Sequence, residues 1–404
     1  MTSRKGFKDI ALFDGEPLFD SPIGEPGLVK PDIETFLNYS KLFFESGQFT
    51  NNGLLVCELE KKLANFHESR YCVTFSSGFW ALVLAIEVLK LPDKSEVIIP
   101  SLSYSLLADI VLWCGMKPRF CDVEEKTLAI SAKTVGTVIT SETALIIGVH
   151  PIVNCLDVSE LRHFSEERGI PLILDSVESA YERTSEGRIG SMAKAEMFSL
   201  NASKLINGGE GGYVITSCSE IYEGLKRKRN FGFEGLDRIN MPGGINAKLN
   251  EMHAGMALTS LNSLENTVKH NKEIYYIYKR EFSNLTGLKI LEFNEEYRTS
   301  YMKVVIEVTD VWPFTRDFTI NALDAENILS AAYYCPALHQ RHLKYSNFSG
   351  KLPNTEKLFK QFILMPSGST VMPKDIHIIR EFLQFLLLNA DDLISTKEEA
   401  SYGS

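Results

Sequence analysis

Between residues 71 and 175 the chain alternates short runs of aliphatic and β-branched residues with longer stretches whose apolar positions recur every three or four residues. The runs at 71–75, 96–99, 119–123, 144–149 and 171–174 are short and almost continuously apolar, which predicts strands; the stretches at 80–89, 106–114 and 158–167 carry helical spacing. Strands that are apolar nearly throughout are covered on both faces. The alternation therefore predicts a mostly parallel sheet with helices on each side. Two further strands, 196–200 and 213–216, bracket a glycine-rich turn. Upstream, 31–46 and 58–66 read as amphipathic helices. Downstream, 249–282 contains no proline and predicts one long helix, followed by a strand at 302–308 and helices at 315–328 and 376–388. The expected fold class is α/β, with a large, mostly parallel sheet domain and a smaller C-terminal α/β domain. The expected divisions are a lead with helices at 1–54, the large domain at 55–270 and the small domain at 271–404.

Composition narrows the function classes. A chain of 404 residues is long enough for two buried cores, and 44% hydrophobic with 23% charged residues is an ordinary globular balance that excludes wholesale disorder. A net charge of −10 argues against tracking a nucleic-acid backbone, which requires a basic surface. No run approaches the roughly 18 apolar residues of a membrane span, and residues 1–9 carry no apolar signal core, so a cytoplasmic protein without membrane contact is expected. Seven scattered cysteines, with no C-x-x-C pair, read as reduced, buried thiols in that compartment, and no metal site is expected.

In open parallel sheets, ligands bind beyond the carboxyl ends of the strands, so residues just after strands are examined first. Ser76, Ser77, Gly78 and Phe79 follow one strand and open a helix, where small residues let backbone N–H groups approach a phosphate; a plain strand-to-helix turn reads the same way. Asp175 ends the run at 171–174, as either a helix cap or the carboxylate that keeps a pyridinium nitrogen protonated. Lys204 stands between a strand and the turn Gly208, Gly209, Glu210, Gly211, Gly212. It reads either as a solvated lysine or as an amine placed for a Schiff base with an aldehyde cofactor. The order of a phosphate turn, a strand-terminal Asp and then a Lys across one more strand is the order pyridoxal phosphate requires.

With those residues in place, the chain from about 42 to 388 resembles the DegT/StrS-type sugar aminotransferases, most specifically at Ser199, Ser203 and Lys204 followed by Gly209, Glu210, Gly211 and Gly212. The resemblance implies an aspartate-aminotransferase-like fold of type I and pyridoxal 5'-phosphate as cofactor. It implies that Lys204 forms the Schiff base and shuttles the proton, that Asp175 partners the ring nitrogen, and that Ser199 and Gly78 with Phe79 bind the phosphate. Tyr104 inherits the ring-stacking place, with a core aromatic as its alternative, and Glu178 lies beside the cofactor. Asn246 would reach the phosphate of a partner's cofactor, so the resemblance implies a homodimer with shared sites. Lys248 and His339 fall near the substrate. Lys248 and the segment 45–53 resemble the branch acting at C4 of dTDP-linked 4-keto-6-deoxyhexoses.

Three departures stand out. Phe79 replaces the family's threonine, Glu178 replaces its Gln or His, and the segment after His150 lacks the family's following glycine, having Val153 and Asn154 in that region, which leaves a buried structural histidine as the reading there. Glu178 and Asp175 beside one pyridinium are expected to share its charge or raise one another's pKa, unless Glu178 turns away to solvent or a backbone partner. The function implied is amino transfer from an amino acid, L-glutamate first, to a nucleotide-linked keto sugar. A dehydratase of the same fold, a non-nucleotide ketone as acceptor, and a silent partner subunit are the rivals. Lys204 speaks against the first, since family dehydratases typically carry His there. Intact Lys204, Asp175 and Ser199 speak against the last.

Overall fold

The short apolar runs do form strands. The computed structural model describes residues 6–24, 29–235, 238–348 and 350–394; the glycine and proline lead at 25–27 and the polar tail at 395–404 lie outside the described residues. In chain order the large sheet takes β1 (Tyr71–Phe75), β2 (Glu96–Pro100), β3 (Lys117–Cys121), β4 (Thr143–Val149) and β5 (Leu172–Asp175). A two-residue hairpin follows, β6 (Arg183–Thr184) and β7 (Gly187–Arg188), and then β8 (Ala195–Ser199) and β9 (Gly212–Thr216). The seven-stranded order is β1-β9-β8-β5-β4-β2-β3. Neighbours from β8 through β5, β4 and β2 to β3 are parallel, and β9 runs antiparallel to both β1 and β8. This is the expected mostly parallel α/β sheet.

Alternation along each strand feeds two cores. Ile98, Ile146, Leu172 and Leu174 pack into one cluster, while Val97, Ile99, Leu145, Ile147 and Ile173 pack into another on the opposite face. Helices cover both: α1 (Ile33–Ser46), α2 (Leu54–Phe66), α3 (Gly78–Leu89), α4 (Leu107–Trp113), α5 (Ala132–Gly136), α6 (Val158–Glu167) and α7 (Ser219–Arg229). Asp32 caps α1 by accepting the Thr35 N–H at 2.8 Å. After a second hairpin, β10 (Phe233–Glu234) with β11 (Arg238–Ile239), the single helix expected at 249–282 is two, α8 (Glu251–Asn262) and α9 (Leu264–Phe282). The break falls at Ser263, whose hydroxyl donates back to the Thr259 and Ser260 carbonyls at 3.3 and 3.2 Å, competing with the helical ladder.

The C-terminal part builds a second, antiparallel sheet in the order β12-β13-β15-β14, where one strand had been expected. Its strands are β12 (Leu288–Ile290), β13 (Val304–Val308), β14 (Ala331–Ala332) and β15 (Phe362–Met365), flanked by α10 (Arg316–Ala325), α11 (Leu338–Arg341), α12 (Pro353–Leu358) and α13 (Pro373–Leu388). The two- to four-residue strands are too short to show a period. The N-terminal lead docks on this part: buried Glu326 accepts the Ala11 and Leu18 N–H groups, each at 2.9 Å, and Ile23 N–H bonds the Asn327 carbonyl. The cysteines depart from expectation. Cys72, Cys114 and Cys121 are buried, but Cys57 is exposed and the other three are half-buried.

Because β1, β2, β4, β5 and β8 point the same way, Phe75, Pro100, Val149, Asp175 and Ser199 end on one edge of the sheet. Antiparallel β9 starts there at Gly212, paired with both Phe75 and Ser199. A Cβ at Gly212 would lie 2.5 Å from Gly78 Cα and 2.6 Å from Gly78 N, so backbone meets backbone at this corner. Gly212→Ala is therefore expected to destabilise the fold by about 1–3 kcal/mol, read as a lower urea midpoint; an unchanged midpoint would mean that the corner is not tightly packed.

Candidate active site

Asp175 ends β5 with its side chain buried, and one hydrogen bond reaches its carboxylate, from the Val177 N–H to Oδ1 at 3.3 Å. Burial pushes its pKa up to about 6, against the pull of that bond and of Lys204, and neighbouring Glu178 adds to the rise. Glu178 lies one short helical turn further on. Its carboxylate does not turn to solvent: Oε1 accepts from Lys204 Nζ at 2.6 Å, and Oε2 lies 3.2 Å from Lys303 Nζ. Burial opposes its charge, but the two ammoniums outweigh burial and hold its pKa down to about 2. The expected mutual rise of the two carboxylates therefore occurs only at Asp175, because Glu178 has two cations of its own.

Lys204 owes its place to the chain between β8 and β9. Leu200 and Gly211 exchange backbone contact through the Leu200 N–H, Gly208 N–H bonds the Leu200 carbonyl, and Asn201 Oδ1 accepts from both the N–H and the hydroxyl of Ser203. Gly211 closes this loop at φ 136°, a conformation that side chains rarely adopt. Lys204 Nζ is thus held inward. Burial works against its charge, yet Glu178, then Asp175 and Tyr104, raise its pKa above that of a free lysine. It is not a solvated surface lysine.

The corner expected to take a phosphate is built from α3 and β8. Ser77 caps α3 by accepting the Trp80 N–H at 3.2 Å, while the first amides of a helix lack intrahelical acceptors and face anions well. A Cβ on Gly78 would lie 3.2 Å from Ser199 Cβ, so the helix start and the Ser199 hydroxyl abut. The Phe79 ring lies edge-on to Trp80, with centroids 5.3 Å apart, and packs against one of the two cores. Its side chain serves packing.

Tyr104, in the loop after β2, is 48% exposed, and its hydroxyl feels both Lys204 and Asp175. His339 clamps that loop: its Nδ1 lies 2.7 Å from Ser101 Oγ, and Leu338 N–H bonds the Ser101 carbonyl. His150 is a buried histidine with Nδ1 accepting the Leu156 N–H, and burial lowers its pKa to about 3. Asn246 is exposed, and among the described residues no hydrogen bond joins it to Lys204, Asp175 or Ser199; its Oδ1 accepts from Lys248 Nζ at 2.7 Å, and Lys248 also reaches Asn230. One chain thus brings together Asp175, Glu178, Lys204 and, nearby, Tyr104, Ser199 and Gly78. Among the described residues Asn246 and Lys248 bond each other rather than these groups, while the neighbouring Ala247 carbonyl accepts the Ser76 N–H at 2.8 Å.

Motif reading missed Lys303, Tyr333 and Tyr334. Both tyrosines feel the Glu178 charge, and Lys303 pairs with it directly. A lysine just before an apolar strand carries no sequence signal of what it will face.

Residues 32–384 match the DegT/DnrJ/EryC1/StrS aminotransferase family. The chain belongs to that family. It is 28% identical over 323 residues to the dTDP-4-amino-4,6-dideoxy-D-glucose transaminase of Shigella dysenteriae, covering 80% of this chain and 86% of that protein. It is 33% identical over 172 residues to the L-glutamine:2-deoxy-scyllo-inosose aminotransferase of Streptomyces fradiae, covering 43% of this chain and 41% of that one. The crystal structure of DesI in the presence of its TDP-sugar product superposes with a TM-score of 0.91 at 26% identity, covering 97% of this chain and all of that one.

Members of this family are pyridoxal phosphate enzymes of fold type I, and the site fits that cofactor. A buried carboxylate with a single hydrogen bond among the described residues suits a cationic ring nitrogen, a half-buried lysine suits an aldehyde, and a helix start against a serine hydroxyl suits a phosphate.

The Glu178 ion pairs also have a stability signature in the cofactor-free chain. The folded pKa of Glu178 lies below its unfolded value, so its contribution is full above about pH 4.5 and is lost as the pH falls towards 2. Asp175 runs the other way: its cost builds up as the pH rises from about 3.8 and is complete above about pH 6. Glu178→Gln should cost about 3–5 kcal/mol at pH 7, and the gap from the parent should narrow in urea titrations below pH 4.5. A gap independent of pH would contradict the ion pairing.

Proposed function

We propose that the chain transfers an amino group from an amino acid, L-glutamate first, to a keto sugar carried on a nucleotide, with dTDP-linked 4-keto-6-deoxyhexoses as the best-fitting acceptors. The observation that carries this reading is the convergence of half-buried Lys204 and buried Asp175 at the carboxyl edge of a chain that follows DesI along almost its whole length. The Shigella relative is named for a dTDP-linked 4-amino-4,6-dideoxy sugar, and the DesI structure was obtained in the presence of a TDP-sugar product.

When bound, pyridoxal phosphate supplies an electron sink for the pair left as a proton departs from the donor's α-carbon. Lys204 would hold its aldehyde carbon and, through Nζ, carry the proton away from one substrate and on to the other. Asp175 would keep the ring nitrogen protonated, while Ser199, the Gly78 and Phe79 amides and Asn246 would bind phosphate. Tyr104 would cover the ring. Lys248 and His339 would bear on substrate, His339 by fixing the loop that carries Tyr104. Divisions at 55–270 and 271–404, with the lead at 1–54, belong to the same proposal, as does a cytoplasmic setting, which seven unpaired cysteines suit.

The site is also proposed to be shared between two copies. Among the described residues Asn246 makes no hydrogen bond to Lys204 in one chain, and α1, the following loop, the start of α2 and α8 expose Ile33, Leu37, Phe44, Phe49, Leu54 and Met252, with Phe44 at 68%. A face so apolar suits burial against its twin. The Streptomyces relative supports a second reading, with a keto-cyclitol as acceptor and L-glutamine as donor.

Borohydride reduction of the loaded protein followed by peptide mapping should place the pyridoxyl adduct on Lys204, and Lys204→Ala should lose both the visible band and turnover while remaining folded; an adduct on another lysine would overturn the site. Glutamate or glutamine offered with dTDP-linked 4-keto and 3-keto sugars and with 2-deoxy-scyllo-inosose, analysed by mass, should give an amino sugar from the 4-keto compound. Product from the cyclitol alone would select the second reading.

Mixed Lys204→Ala and Asn246→Ala chains, each inactive alone, should regain up to about a quarter of parental activity, since half of the pairs are mixed and each has one intact site. No recovery after proven subunit exchange would count against a shared site.

A further inference from the structure

Lys303 immediately precedes β13 and so belongs to the C-terminal sheet, yet its Nζ lies 3.2 Å from Glu178 Oε2 and 3.3 Å from Oε1, with its side chain only 10% exposed. Lysines are almost never buried unless paired. Glu178 already has a partner in half-buried Lys204 at 2.6 Å, so one buried carboxylate meets two ammoniums, of which that of Lys303 is the more buried. Desolvating a second ammonium is costly, and it is matched by function if the first is not always available. Under the function proposed above, on which this inference rests, Lys204 Nζ is engaged by the cofactor for part of every turnover. Glu178 would then be a buried carboxylate beside a second one, Asp175, and would take up a proton unless another cation stood by.

We propose that Lys303 is a positioning residue that holds Glu178 as a carboxylate, and in place, while Lys204 is engaged. Among the described residues, the groups that face Glu178 are Asp175 from the end of β5, Lys204 from the loop between β8 and β9, Lys303 from before β13, and Tyr333 and Tyr334 from the segment after β14. Burial raises the pKa of both phenols, so they stay neutral and Lys303 is the standing positive charge among these groups. The ionised Glu178 leaves one fixed acceptor beside the ring, and the ion pair ties the C-terminal sheet to the catalytic lysine.

The test uses Lys303→Met, Lys303→Arg and Glu178→Gln/Lys303→Met, each in the parent and in a Lys204→Ala background. In the cofactor-free Lys204→Ala chain, infrared spectra at pH 7 should show Glu178 ionised. Adding Lys303→Met should bring up a protonated-carboxyl band that disappears with Glu178→Gln, while Lys303→Arg should not. In the Lys204-intact proteins, Lys303→Met should weaken cofactor binding about tenfold by equilibrium dialysis and add a step to the pH titration of the visible band. Lys303→Arg and the double variant should lack the step, because an arginine keeps the charge and a glutamine needs none. Spectra of Lys303→Met like the parent's, or a double variant no better than Lys303→Met, would overturn the proposal. If Lys303→Met does not fold, the double variant must; failure of both would assign Lys303 to packing alone. An adduct away from Lys204 would refute the proposed function, while the infrared arm would still read the link between Lys303 and Glu178.

Discussion

A lysine amine can be taken out of water only beside a carboxylate that is itself satisfied, and the centre of this molecule meets that condition with Glu178 between Lys204 and Lys303. The loop between β8 and β9 aims Lys204 inward, the turn after β5 delivers Glu178, and the C-terminal sheet delivers Lys303. Among the described residues, Asp175 makes the set one of two carboxylates and two ammoniums. Because that set is balanced, Asp175 can keep a pKa near 6 without unbalancing the site, and its charge becomes useful once a cation faces it.

Sheet direction makes the convergence possible. Parallel crossovers bring the carboxyl ends of β1, β2, β4, β5 and β8 to one edge, so residues more than a hundred positions apart become neighbours. Antiparallel β9 returns to that same edge with Gly212, where the absence of a side chain lets it press against Gly78 at the start of α3. The helix start, the Ser199 hydroxyl and the lysine loop are thereby drawn into one corner. That corner is backbone-defined, which is why small residues occupy it.

The strands of the large sheet were legible because each is a short, continuously apolar run between turn residues, and their observed bounds lie within about two residues of those expected. Asp175 and Lys204 were legible as strand-end residues in an order that chemistry explains. The two-residue strand β14 and three-residue β12 were not, since neither is long enough to carry a period. The break at Ser263 was hidden because a serine hydroxyl that competes with the helix leaves no mark in an apolar pattern. Lys303 was hidden for a different reason. Its role depends on packing between two sheets, and no local spacing reports a contact 125 residues away.

The Glu178 substitution can be understood only with that long-range partner. Taken alone in sequence, a carboxylate beside Asp175 adds a second negative charge to a dry pocket, which predicts a raised pKa or a side chain turned away. The structure gives the opposite sign: Glu178 is buried, ionised and doubly paired, because the C-terminal sheet carries a cation to the one place where it is needed. The substitution and Lys303 therefore form a single electrostatic unit. Removing Lys303 alone leaves Glu178 and Asp175 to share Lys204, and removing Glu178 alone takes away the carboxylate that Lys303 meets at 3.2 Å, whereas a joint change to neutral side chains keeps Asp175 and Lys204 facing one another.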